Sequence, residues 1–366
     1  MSQRVKLVIN GRGSISAAGN DPAAAYQTWG KDTATWSVEA STGLPVYRVT
    51  NIPEHEAIER FARRRSADRA TLLALHAADQ AVRQAGWVGQ EFAILVGCSR
   101  GPTGSWEDGY EHFRETGTAR TKTSPQTTLG GIGFALADYF GTRSLTTGMS
   151  VTCSSGFHAL VHAVALLRAG MAERVLVGGA EAPLTPFTLR QMEAMGIYAS
   201  VPERRKHACD PLGKPASGMV IGEGAAFVAL STEGSGPTLM GIGFGREQVA
   251  SATGISREGE ALQASMTAAL AEAGIPCANV VLHAPGTDRG DDAEQKAIHA
   301  VMGSYDNVDG IFNKHLTGHT FGASGPLGLD FALSVLENDR GYPHHSLLVN
   351  ATGFGGNAVS VVVKGE

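Results

Sequence analysis

Three residues in this chain have the types and settings that nucleophilic acyl transfer needs: Cys153, His283 and His319. Cys153 stands in SVTCSSGFHAL, where an apolar, β-branched stretch gives way to helical spacing. Beyond it, Phe157, Leu160, Val161, Val164 and Leu167 mark one buried helix face, and Gly170 is a natural C-cap. The thiol is therefore expected at or just before a helix N-terminus. Unpaired N–H groups and the positive end of the dipole there favour a thiolate and offer donors to an oxyanion. His283, in LHAPGTDRGDDAE, is expected at the C-terminal rim of a strand, and His319 in a glycine-rich turn that follows Lys314. A thiol and two histidines brought by three such junctions suit chemistry through a covalent thioester.

The other candidates have blander explanations. Cys98, Cys209 and Cys277 are expected to be buried and inert. The four cysteines lie far apart with no C-x-x-C pair, which fits a reducing cytosol better than a disulfide scaffold or zinc site. His158 and His162 fall inside the helix after Cys153, and His344-His345 is a surface pair lacking partners at metal spacing, so no metal is expected. In DDAE, Asp291 reads as a helix cap and Glu294 as the return arm of a capping box.

The elements that must position these residues follow from the hydrophobic pattern. Strand-like runs are expected at 5–11, 92–98, 144–153, 174–180 and 225–231, and again at 238–245, 280–286, 310–314, 346–353 and 358–364. Helical spacing covers Ser66–Gln84, Ser154–Ala169, Gly259–Ala273 and Asp291–Met302. The alternation argues an α/β protein with helices covering the sheets. Each set has five strands, and GMVIGEGAAFVALS parallels ATGFGGNAVSVVVKG, which points to an internal duplication jointed near STEGSGP at 231–237. The halves are expected at 1–235, with the nucleophilic cysteine, and 236–366, with the histidines.

Composition bounds the function. Hydrophobic residues are 43% and charged residues 18% of 366, as in an ordinary globular chain. A net charge of −5 argues against nucleic acid as a bulk partner. Two local basic clusters survive that argument, Arg63-Arg64-Arg65 and Arg204-Arg205-Lys206. No run has the roughly 18 uncharged apolar residues of a spanning helix, and the N-terminal apolar run is too short for a signal peptide. A cytoplasmic protein without membrane contact is expected.

Read together, RRRSADRATLLALHAA, VTCSSG, VLVGGAEAP, IGEGAA, HAPGTDRGDDAE, NKHLTGH with GASG, and the terminal GFGG resemble a β-ketoacyl-acyl carrier protein synthase of the elongating type, within the thiolase-like superfamily. The resemblance covers nearly the whole chain. It implies the duplicated, five-layered αβαβα thiolase fold. It makes Cys153 the nucleophile, His283 and His319 the catalytic pair, and Lys314 the lysine that supports them. Phe354 would be the gating phenylalanine, its N–H completing an oxyanion hole with that of Cys153. Thr287, Gly353 and Gly355 would line the substrate path. No cofactor is implied, since substrates ride on the phosphopantetheine of an acyl carrier protein. That acidic partner would dock on Arg63, Arg64 and Arg65, with Arg204, Arg205 and Lys206 as a second patch. The implied assembly is a homodimer or a heterodimer with a related ketosynthase subunit.

The implied reaction is decarboxylating condensation of an acyl group on Cys153 with malonyl-carrier protein, in a fatty-acid-like or specialised polyketide or polyene pathway. Rival readings are a chain-length-factor-like subunit and an acyltransferase using the same cysteine. The chain departs from the family pattern at Ala284-Pro285, Ser217, Met219 and Asn357-Ala358, and its 325–349 connection is short.

Overall fold

The computed structural model describes residues 5–277, 279–303, 309–339 and 341–366. Among the described residues twelve strands are formed: β1 (Val8–Ser16), β2 (Ser37–Val38), β3 (Pro45–Val46), β4 (Ala93–Gly97), β5 (Thr146–Met149), β6 (Arg174–Glu181), β7 (Gly224–Ser231), β8 (Thr238–Arg246), β9 (Asn279–Val281), β10 (Asp309–Ile311), β11 (Ser346–Gly353) and β12 (Asn357–Lys364). Ten of them make one sheet in the order β10-β9-β11-β12-β8-β1-β7-β6-β4-β5. Taken within each half, both sets of five follow the same order, 3-2-4-5-1, and they meet where Val8 pairs with Thr238. The repeat suspected from two glycine-rich turns is therefore a repeat of topology.

Burial explains the layering. Phe157, Leu160 and Val164 from helix Ser155–Arg168 and Leu329, Phe331 and Leu333 from helix Ser324–Asn338 share one core with Leu95 and Val177 of one half and Val281, Val349 and Val361 of the other. Outside this central layer, helix Arg69–Gln84 covers one half and helices Glu260–Ala273 and Asp288–Met302 cover the other, each with its own apolar cluster. The result is the αβαβα thiolase-like arrangement. The two central helices touch at their first turns. A Cβ on Gly156 would lie 2.4 Å from Pro326 Cγ and 2.6 Å from the Gly322 carbonyl, so only glycine allows this approach.

Several expected elements shift. Helix Ser324–Asn338 occupies much of the 325–349 connection, where no element is expected from the hydrophobic pattern; its proline sits in the first turn, where a missing N–H costs nothing. The helix expected over Ser66–Gln84 begins at Arg69, with Asp68 as its cap, and Ser66, at φ 52, ends a separate helix Glu56–Arg65. The strand expected over 144–153 stops at Met149, which leaves Ser150–Ser154 free to form the turn that carries Cys153. Among the described residues no helix is long and apolar enough to cross a membrane.

Candidate active site

Cys153 lies just before Ser154, the N-cap of helix Ser155–Arg168, and is 5% exposed. The turn is strained: Thr152 adopts φ 49, which a β-branched residue rarely does. Hydrogen bonds over-determine it. Ser155 Oγ accepts from the Val151 N–H at 2.8 Å, Ser154 Oγ donates to the Val151 carbonyl at 2.9 Å, and Thr152 Oγ1 donates to the Phe354 carbonyl at 3.0 Å. Strain held by its surroundings in this way is typical of a functional turn.

His319 reaches the thiol from the other half, with Nε2 3.0 Å from Sγ. Its backbone is strapped to the segment ahead of β7, its N–H donating to the Val220 carbonyl at 2.7 Å and its carbonyl accepting from Gly222 at 3.1 Å. His283 stands perpendicular to it, ring centroids 5.3 Å apart. Both histidines are buried, and Nδ1 of each has no hydrogen-bond partner among the described residues. His319 Nε2 accepts from the Cys153 thiol, and no carboxylate or carbonyl among the described residues holds Nδ1 of either ring.

The electrostatics correct one expectation. Burial pushes the Cys153 thiol up to about 12, and the nearby Glu181 adds to this. Lys314 and the backbone N–H groups of Cys153 and Phe354 pull the other way without prevailing. The helix terminus expected to favour a thiolate is thus outweighed by desolvation, and Cys153 rests as a neutral thiol. His319 is held well below the ordinary imidazole range by burial and then Lys314, so a neutral imidazole faces it. The same causes, with His319 added, act on His283.

Lys314 donates from Nζ to the His283 carbonyl and is itself brought down to about 8 by burial. Asp291 and Glu294 do not cap a helix as expected. That helix starts three residues before Asp291, with Thr287 as its cap, accepting from the Gly290 N–H at 3.3 Å. Glu294 instead accepts from the N–H groups of His283 at 2.9 Å and Ala284 at 2.7 Å, and from Asn350 Nδ2 at 3.0 Å. Asp291 accepts from Gly286 at 3.0 Å and Leu212 at 2.8 Å. The pair braces the turn that carries His283.

Glu181, at the end of β6, was not singled out as a residue although its motif was. Fully buried and pushed up to about 7 by that burial, it accepts from Ser99, from Gly322 at 3.2 Å and from Arg100 at 3.4 Å. It thereby joins the end of β4 to the turn that follows His319.

The remaining sequence candidates are placed as follows. Phe354 is half-buried in the turn between β11 and β12, and Gly355 holds φ 85 there. Gly353 abuts the nucleophile turn: a Cβ would lie 2.3 Å from Thr152 Oγ1 and 3.0 Å from the Cys153 nitrogen. Ser217 accepts from the Asp210 N–H at 2.8 Å. Arg63, Arg64 and Arg65 are exposed at the end of helix Glu56–Arg65, but Arg65 pairs with Asp138, and Arg64 lies 5.7 Å from the Phe61 ring centroid. Arg204 and Arg205 are exposed, while Lys206 is engaged with Asp32 at 2.7 Å. On its apolar side Cys153 belongs to a cluster with Leu184, Leu189, Met192, Met219 and Phe321.

The sequence matches the family described as beta-ketoacyl synthase, N-terminal domain, over residues 6–234, and the corresponding C-terminal domain over 238–347. It is 28% identical to Nodulation protein E of Rhizobium sp. (strain N33) over 88% of this chain and 84% of that one. It is 27% identical to 3-oxoacyl-[acyl-carrier-protein] synthase 2 of Staphylococcus aureus (strain MRSA252), covering both chains fully. Among solved structures, a ketosynthase in complex with its chain length factor from Xenorhabdus doucetiae superposes with a TM-score of 0.85, at 20% identity over the whole of both chains. The ishigamide ketosynthase/chain length factor does so with a TM-score of 0.85 at 20% identity, again over the whole of both chains. With its thiol, two histidines and repeated topology, the chain belongs to the β-ketoacyl synthase family.

Proposed function

We propose that this protein is an active ketosynthase that condenses an acyl group on Cys153 with a malonyl group delivered by an acyl carrier protein. The observation that carries the reading is the 3.0 Å contact between Cys153 Sγ and His319 Nε2, beside N–H groups of Cys153 and Phe354 that favour negative charge on that sulfur. In the loading step the thiol gives its proton to neutral His319 as sulfur attacks the thioester carbonyl. The two N–H groups hold the oxyanion. Its collapse breaks the bond to the carrier's pantetheine sulfur, which leaves with the proton from His319. The acyl chain then lies among Leu184, Leu189, Met192 and Phe321, where the flexible methionine can yield to it.

In the second step the malonyl carboxylate departs as carbon dioxide, and the electron pair moves into an enolate. His283 and His319 donate from Nε2 to its oxygen. The carbanion attacks the acyl carbonyl, the carbon–sulfur bond to Cys153 breaks, and the thiolate recovers a proton from solvent. His319 must accept in the first step and donate in the second, which its unpartnered Nδ1 allows. Substrates ride on phosphopantetheine and no resident cofactor takes part. The cytoplasm, where thiols stay reduced, suits four free cysteines.

The partner assigned to the free edge of β5 is a second ketosynthase-type subunit, identical or related. That edge ends the sheet, and Leu145 and Phe134 beside it are exposed. Mass spectrometry after incubation with acyl- and malonyl-carrier protein tests the reading. A synthase forms the Cys153 adduct and then a chain extended by two carbons. Absence of any adduct would mark a silent subunit, and an adduct passed on without need of malonyl would mark an acyltransferase.

A further inference from the structure

We propose that Asp32, His207 and His315 form a binding site for one divalent transition-metal ion of the zinc class, separate from the Cys153 site. The three residues are remote in sequence. Asp32 closes helix Pro22–Lys31, His207 lies in the loop that follows the 186–194 helix, and His315 follows Lys314 in the short helix Lys314–Thr317. Here they converge. His207 Nε2 is 2.8 Å and His315 Nε2 3.6 Å from the same oxygen, Asp32 Oδ1, and one donor atom from each residue falls within 4.8 Å of the others.

The geometry suits a small ion. Four ligands at about 2.0–2.2 Å around a tetrahedral ion stand roughly 3.3–3.6 Å from one another. His315 Nε2 already stands at that spacing from Asp32 Oδ1, at 3.6 Å, and opening the 2.8 Å His207 contact by about 0.5–0.8 Å brings the carboxylate into range of both rings. The imidazoles are perpendicular, at 88° with centroids 5.0 Å apart, and therefore approach from two directions. Their side chains are only 14% exposed, and Phe312 meets His315 edge-on at 5.3 Å, so packing presets the rings. Asp32 is 54% exposed and leaves the fourth position to water.

Two imidazoles and one carboxylate select zinc, nickel or copper over magnesium or calcium, which prefer all-oxygen sites. Lys206 holds Asp32 Oδ2 at 2.7 Å, which fixes the carboxylate with Oδ1 toward the rings. The site also touches the catalytic layer. Tyr47 donates its hydroxyl hydrogen to the His315 carbonyl at 2.8 Å and accepts from the Cys209 N–H at 3.1 Å. A bound ion would pin the Asp32 and His207 segments to the turn that carries Lys314.

The test is titration of the full-length, chelator-stripped protein with Zn²⁺ in competition with a chromophoric chelator, on a Cys153→Ala background that removes the active-site thiol. One Zn²⁺ per chain is expected, weakened at least about tenfold by His207→Ala and by His315→Ala. Asp32→Asn, an exposed and isosteric change, must weaken binding too, and it decides the matter if either histidine variant melts early. His344→Ala should leave affinity unchanged, and Mg²⁺ should not compete. The proposal is overturned if no Zn²⁺ binds, if Asp32→Asn and the soluble histidine variants bind as tightly as their parent, if His344→Ala loses as much, or if Mg²⁺ displaces Zn²⁺ at equal concentration.

Discussion

Gly353→Ala is the perturbation that bears most directly on how the nucleophile is held. The new Cβ would stand 2.3 Å from Thr152 Oγ1, 3.0 Å from the Cys153 nitrogen and 3.1 Å from the Ser154 nitrogen. The shortest of these is more than an ångström inside ordinary contact, so either the turn bearing Cys153 or the turn bearing Phe354 must retreat by about that much. Thr152 cannot yield cheaply, because it sits at φ 49 and its hydroxyl holds the Phe354 carbonyl at 3.0 Å. A retreat separates the two N–H groups proposed to hold the oxyanion. A misplacement of about 1 Å costs roughly 10²-fold in rate, or about 2.7 kcal/mol of barrier. Single-turnover loading of Cys153 from an acyl thioester, followed by intact-protein mass, should slow by that factor with the melting temperature only modestly lower. Removing the obstructing hydroxyl in Thr152→Ala/Gly353→Ala should restore part of the rate. Loading by Gly353→Ala at the wild-type rate would refute the steric argument and, with it, the placement of Phe354 in the oxyanion hole.

Replacing His283 with Ala should cut decarboxylation of malonyl-carrier protein by roughly 10² while sparing loading; replacing His319 should slow both, and equal loading in the two variants would contradict the roles assigned. Because burial holds the Cys153 thiol near 12, its alkylation by iodoacetamide should climb steadily from pH 7 to pH 10; a plateau below pH 8 would mean a preformed thiolate. Glu294→Gln sets an amide nitrogen against backbone donors of His283 and Ala284, and about 1–3 kcal/mol of stability should be lost in a denaturant titration. Arg63→Glu/Arg64→Glu, which leaves the Arg65–Asp138 pair intact, should raise KM for a carrier-bound thioester and not for a small pantetheine analogue; equal effects on both would remove this face from carrier docking.

The convergence of Cys153, His283 and His319 was legible because each residue sits where a hydrophobic period breaks, and such breaks survive in one dimension. The five strands of each half were legible for the same reason. Helix Ser324–Asn338 was hidden because a helix buried on every side has no amphipathic period, and its first turn is written in glycine and proline. The roles of Asp291 and Glu294 were misread because a carboxylate near a helix start satisfies the capping pattern whether it bonds its own backbone or a neighbouring turn. Desolvation of Cys153 lay beyond the sequence altogether, since its burial comes from a cluster assembled from separate segments, Leu184, Met192 and Phe321 among them.

The contact of Gly156 with Pro326 and the Gly322 carbonyl has a mechanical consequence. Gly156 is three residues from Cys153, and Gly322 is three residues from His319, so the two central helices meet directly behind the thiol and the imidazole. The crossing acts as the datum from which the 3.0 Å gap is set: whatever wedges these first turns apart opens the sulfur–nitrogen gap by a comparable amount. Hydrophobic packing elsewhere in the central layer can absorb a methyl group by small adjustments over many neighbours, whereas a proton transfer cannot absorb half an ångström. Substitutions at this crossing should therefore extinguish chemistry in proteins that still fold, and drift between the two halves is held to a far finer tolerance here than stability alone would impose.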